Sequence, residues 1–123
     1  MILSYATVGS NNLEKSIPFF TQLLAKGGVG KFADHPRGGV LFGKDGKIVL
    51  GVLTPFDRQA ASYGNGAMIA LELPSQDAVD EFHAQALALG GTDEGAPGER
   101  GPGFYMSYFR DLDGNKFCAC HLS

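Results

Sequence analysis

The chain has little of what marks a specialised protein class. Its 123 residues include two cysteines, three histidines, and ten basic against thirteen acidic side chains, for a net charge of −3. Cys118 and Cys120 are too few for a disulfide framework. Two residues apart on a strand they point the same way, and bridging them would distort it. The basic residues form no stripe of the kind nucleic acid requires, and no cluster dense enough for an anionic membrane surface. Every apolar run is far shorter than a membrane span. Met1 leads straight into apolar residues with no basic segment before them, so no secretory signal is expected. A reducing cytoplasm is the expected compartment.

What is present describes a globular domain. Hydrophobic residues make up 44% of the chain and charged ones 19%, enough apolar material for one core and one domain. The 18 glycines fall in pairs and at turn positions, so they imply tight turns and not disorder.

Ile2 to Val8 reads as a strand, with Leu3, Tyr5 and Thr7 sharing one face. Asn11 or Asn12 is placed to cap a helix whose apolar residues Leu13, Ile17, Phe20 and Leu24 recur at helical spacing. Pro18 predicts a local kink, and Gly27-Gly28 ends the helix. Val29 to Ala33 is a strand. Val40 to Gly43 and Ile48 to Leu53 flank the turn residues Asp45-Gly46. Thr54 to Gly66 is polar and irregular, a linker between halves.

The second half begins with a strand over Ala67 to Leu73, where Met68, Ala70 and Glu72 share a face. Ser75 is a fair cap for a helix with the stripe Val79, Phe82, Ala86 and Leu89. His83 falls on its polar side and is expected at the surface. Gly90-Gly91 ends this helix. Thr92 to Gly103 reads mostly as loop, with a short strand near Thr92. Phe104 to Arg110 and Lys116 to His121 form a closing hairpin around Asp111, Asp113, Gly114 and Asn115.

The two halves repeat. A shift of 63 residues places Tyr5 on Met68, Phe19 on Phe82, Gly27-Gly28 on Gly90-Gly91, Arg37-Gly38 on Arg100-Gly101 and Phe42 on Tyr105. With a longer second turn, Asp45-Gly46 falls on Asp113-Gly114 and Val49 on Cys118. The expected architecture is α+β: two βαβββ units, residues 1–53 and 67–123, joined by the linker 54–66. One such unit cannot cover its apolar sheet face alone, and two can curl their mixed sheets around a cavity.

Asn12-Leu13-Glu14-Lys15-Ser16 leading into Phe19-Phe20, then Gly90-Gly91, then Phe104-Tyr105 through Arg110-Asp111-Leu112-Asp113-Gly114-Asn115-Lys116 resembles the vicinal oxygen chelate superfamily. This is the fold group of glyoxalases, bleomycin-resistance proteins and extradiol dioxygenases. Thr54-Pro55-Phe56-Asp57, Gly64-Asn65-Gly66 and Gly95-Ala96-Pro97-Gly98 look like a glyoxalase-like subgroup of small bacterial proteins. The resemblance implies a glyoxalase-like fold, and a homodimer with cavities at or near the subunit interface. In metal-dependent members, the first and last strands of each half supply His, Gln or Glu to a divalent ion. The matching positions here are Tyr5, Val49, Met68 and Cys118, a poor donor set for a hard cation.

The expected function is therefore metal-free binding of a small organic ligand between the sheets, with no cofactor. The alternative is a lactoylglutathione-lyase-type lyase or isomerase using Zn, Ni, Fe or Mn held by other residues. Cavity candidates are Tyr5, Thr7, Val49, Met68, Glu72, Tyr105 and Cys118. Arg37 and Arg100, at repeat-equivalent loop positions, are candidates for holding an anionic group. The cysteines read as small buried hydrophobes, because no base or positive field stands beside them in the sequence.

Overall fold

A computed structural model describes all of residues 1–123. The elements in chain order are β1 (Ala6–Gly9), α1 (Leu13–Ala25), β2 (Gly30–Asp34), β3 (Gly39–Lys44), β4 (Lys47–Leu53), β5 (Ile69–Glu72), α2 (Gln76–Ala88), β6 (Thr92–Glu99), β7 (Phe104–Arg110) and β8 (Lys116–Leu122). They form two four-stranded sheets of matching topology, β1-β4-β3-β2 and β5-β8-β7-β6. In each, the first strand runs parallel to the last and the other pairs are antiparallel. This is the α+β arrangement of two βαβββ repeats. No helix is long and apolar enough to cross a membrane.

The two helices contribute to one shared core. Phe19, Phe20, Leu23 and Leu24 of α1 and Val79, Phe82 and Ala86 of α2 meet Phe42, Leu50, Val52, Phe109, Phe117 and Ala119 from the strands. The ring of Phe20 lies 5.5 Å from that of Phe117, which stacks on Phe109 at 5.6 Å. These contacts fuse the repeats, since Phe20 belongs to the first and Phe117 to the second. Burying a Phe side chain contributes about 1.5–3 kcal/mol.

Local chemistry explains most element ends. Asp45 and Gly46 both have positive φ, as a two-residue hairpin turn requires. Ser75 Oγ accepts from Ala78 N–H at 3.1 Å and caps α2. Helix α1 runs through Pro18.

Several expectations are corrected. Asn12 makes no side-chain cap; Ser10 Oγ accepts from Asn12 N–H at 3.1 Å instead. Asn11 turns to the linker, exchanging bonds with the Ala61 carbonyl and N–H at 3.1 and 2.7 Å. The first strand starts at Ala6, leaving residues 2–5 outside the sheet, and β5 starts at Ile69 and not Ala67. Thr92 to Glu99 is a strand despite its glycines and Pro97. As an edge strand it pairs on one side only, where proline and irregular register are tolerated. His83 is 4% exposed, not a surface residue. Its ring meets Phe109 edge-on at 6.2 Å because β6 and β7 pack against that flank of α2.

Candidate functional site

Strand alternation divides each sheet into a face toward the helices and an open face. On the first sheet, Leu50 and Val52 point into the core, so Thr7 and Gly51 lie on the open side, with Tyr5 just ahead of β1 beside Val49. On the second, Phe117 and Ala119 point inward, which sends Ala70, Glu72, Tyr108, Cys118 and Cys120 to the open side, with Met68 just ahead of β5 in a cleft beside Lys116. Tyr5 and Met68 are each 46% exposed in the single chain.

Register revises the repeat. Ala6 pairs with Leu50 and Ile69 with Phe117, so Leu50 and Phe117 are counterparts. The counterpart of Cys118 is then Gly51 and not Val49. Likewise Phe42 pairs with Leu50 and Phe109 with Phe117, so Phe42 matches Phe109 and not Tyr105. The extra residues of the second repeat therefore precede Phe109. The closing turn does not carry them, because a bulge after Phe42 lengthens the first hairpin to match.

Tyr105 is on the helix side. Its hydroxyl donates to Asp80 Oδ1 at 2.6 Å, and that bond to a carboxylate raises the phenol's pKa. It is not part of the open face. Val49 lies beside Tyr5 and Phe32 in a broad depression of about 830 Å³, under residues 2–5. Glu72 is exposed at the end of β5 beside Cys120.

Cys118 is fully buried, and desolvation pushes its thiol up to about 11. Cys120 is raised by the same cause. Neither thiol is activated as a nucleophile.

The two arginines occupy similar settings. Arg37 Nε donates to the Thr54 carbonyl at 2.8 Å, and its guanidinium lies 5.5 Å from the Phe56 ring centre. It borders a cleft of about 400 Å³ with Thr7, Gly9, Leu53 and Asp57. Arg100 Nη2 donates to the Ala96 carbonyl at 2.7 Å, and its guanidinium lies 5.6 Å from the Tyr108 ring centre. Lys116 Nζ stands 5.3 Å from the same ring. Lys116, Met68, Thr7 and Tyr63 line a further cleft of about 220 Å³ where the β1 and β5 edges approach. Sequence reasoning missed Tyr108, Lys116, Phe56 and Gly51. Alternation from Phe109 identifies Tyr108 as open-facing, but nothing local shows that two cations gather on it.

A model of the Glyoxalase/Bleomycin resistance protein/Dioxygenase superfamily matches residues 2–119. The chain belongs to this superfamily. A glyoxalase/bleomycin resistance protein from Albidiferax ferrireducens T118 is 36% identical, with 98% of each chain covered and a TM-score of 0.87. A hypothetical protein from S. aureus is 24% identical over 98% of this chain and 94% of its own, with a TM-score of 0.74. The lactoylglutathione lyase of Agrobacterium tumefaciens shares the fold at 18% identity and a TM-score of 0.69, covering 97% of this chain and 92% of its own. No curated protein matches the sequence.

Superfamily members that use a divalent ion draw its ligands from the first and last strands of each half. Here those positions hold Tyr5, Gly51, Met68 and Cys118: a phenol, no side chain, a thioether and a thiol that keeps its proton. No group of three or more His, Cys, Asp or Glu side chains is placed to hold a metal. The residues present do not fit the superfamily's metal site.

Proposed function

We propose that this superfamily member binds a small organic ligand on the open faces of its sheets without a metal. The donor set at Tyr5, Gly51, Met68 and Cys118 carries this reading, since it offers neither imidazole nor carboxylate. Apolar and aromatic side chains with a few polar atoms suit an organic molecule better than a hard cation.

The open faces are only partly covered in one chain, where Gly51, Cys118 and Cys120 are buried but Thr7, Ala70 and Glu72 are exposed, and a second copy of the chain supplies the rest of the cover. In support, Ile2, Leu3 and Phe32 are exposed beside Tyr5 at 89%, 82% and 47%. Contiguous exposed apolar groups of this kind mark interaction surfaces.

The test is metal analysis of purified protein, followed by thermal-shift ligand screening before and after chelator dialysis. The expected outcome is no stoichiometric divalent ion, with the unfolding midpoint and ligand responses unchanged by the chelator. A stoichiometric ion that resists dialysis overturns the metal-free reading and favours a lyase or isomerase. Sedimentation that finds only monomer with bound ligand overturns the role of the second copy.

A further inference from the structure

Strand β6 is built in an unusual way around one side chain. Its register with β7 breaks between Asp93 and Gly95 and again between Gly95 and Gly98. The guanidinium of Arg100 folds back over the space those glycines leave. A Cβ at Gly98 would stand 3.0 Å from Arg100 Nη1. One at Gly95 would stand 3.4 Å from Nη2 and 3.0 Å from Tyr108 Cδ2. Neither glycine needs its freedom for a positive φ. Their missing side chains serve to let Arg100 lie against Tyr108, with the Ala96 carbonyl holding Nη2.

The cation so positioned has no carboxylate partner. The ion pairs between permanently charged side chains are Lys31–Asp34 and Arg110–Glu94. Arg110, the third cation of this face, is occupied by Glu94 and by the Gly114 carbonyl. Glu72 sits at the other end of β5 beside Cys120. Arg100 and Lys116 therefore face the same ring without a neutralising charge, on a protein whose net charge is −3.

We propose that Arg100 and Lys116, gathered on Tyr108 and seated by Gly95 and Gly98, form the subsite for the carboxylate or phosphate group of the ligand. This rests on the reading that the open face binds a small molecule, and names the charge of that molecule. A guanidinium offers a fork of donors matched to an oxyanion, and the lysine adds a point charge. Ordering Arg100 beforehand lowers the entropy lost on binding. The apolar body of the ligand extends toward Met68, which shares a cleft with Lys116.

The experiment titrates the full chain with benzoate, phenyl phosphate and neutral benzyl alcohol, by calorimetry at low and high salt. Benzoate or phenyl phosphate binds saturably, more tightly than benzyl alcohol, and weakens as salt rises. The double variant Arg100→Gln/Lys116→Gln loses about tenfold or more of that affinity. Gly98→Ala obstructs only the flexible end of Arg100, so it weakens anion binding while the unfolding midpoint stays at the wild-type value. If benzyl alcohol binds as tightly as benzoate, the open face binds ligands but the anion subsite is wrong. Anion binding unchanged in the double variant also sinks the subsite. If none of the three binds at millimolar concentration, the anion subsite falls, while the open-face reading stands or falls on the thermal-shift screen.

Discussion

Asn115 Nδ2 donates to the Gly9 carbonyl at 3.1 Å, joining the closing turn of the second repeat to the end of β1. The same amide nitrogen donates to Asp111 Oδ2 at 2.8 Å, while Asp111 Oδ1 accepts from the Asn115 and Asp113 N–H groups at 2.8 and 2.9 Å. Asn115 is thus both the organiser of its own turn and a link between repeats.

Replacing Asn115 with Ala strands buried acceptors and is expected to cost about 1–3 kcal/mol. Chemical denaturation measures it. Asn115→Asp is expected to be worse, and pH-dependent. Burial already holds Asp111 above the ordinary carboxylate range, and a second carboxylate facing it raises the pair further. A raised folded-state pKa means that stability is fully present below the ordinary carboxylate pKa and is lost as pH rises through the folded one. Asn115→Asp should therefore approach wild-type stability in acid and fall away toward neutrality. A deficit that does not change with pH would show that Asn115 acts through shape alone.

Cys118 gives a second dependence, at the alkaline end. Its thiol is raised from 9.0 to about 11 by desolvation, so the folded protein favours the protonated form. The associated stability is present below pH 9 and is lost as pH rises through about 11. Against Cys118→Ala as reference, wild-type stability should decline over that window. Native Cys118 should also resist iodoacetamide at pH 8, while the unfolded chain reacts readily. Fast labelling of native Cys118, located by peptide mapping, would contradict its buried, protonated state.

His83 offers a stability test. Its Nδ1 has no partner, and its Nε2 stands 3.3 Å from Asp93 Oδ1 without making a hydrogen bond. Replacing an unpaired buried polar group by an apolar one of similar size is close to neutral or stabilising. His83→Leu should match or exceed the wild type in thermal unfolding near neutral pH. A loss above about 2 kcal/mol, the cost of breaking a useful buried contact, would mean that the Asp93 contact holds α2 to β6.

How far each feature was legible depended on the range of the interaction that decides it. Asp45-Gly46, Gly28 and Gly90 adopt positive φ because of what glycine and aspartate are, so their turns can be read locally. The alternation Met68, Ala70, Glu72 and the inward or outward sense of Cys118 follow from the strand period of two. The order of these elements was enough for the superfamily and for two βαβββ repeats. Glycine and proline in β6 concealed a strand, because edge pairing with β7 outweighs their propensity.

Within the site, side-chain chemistry and the face of Thr7 were legible in the sequence alone, whereas the 63-residue offset behind the Arg37–Arg100 match does not extend to Phe42 and Phe109. Tertiary structure decided the rest. Interstrand register, reset by the bulge after Phe42, replaced Val49 with Gly51 as the counterpart of Cys118. Packing of α2 against β6 and β7 buried His83 and drew the Tyr105 hydroxyl to Asp80. Pairing of β6, β7 and β8 brought Arg100 and Lys116 to one tyrosine. These depend on contacts between residues far apart in the chain, and no local pattern carries them.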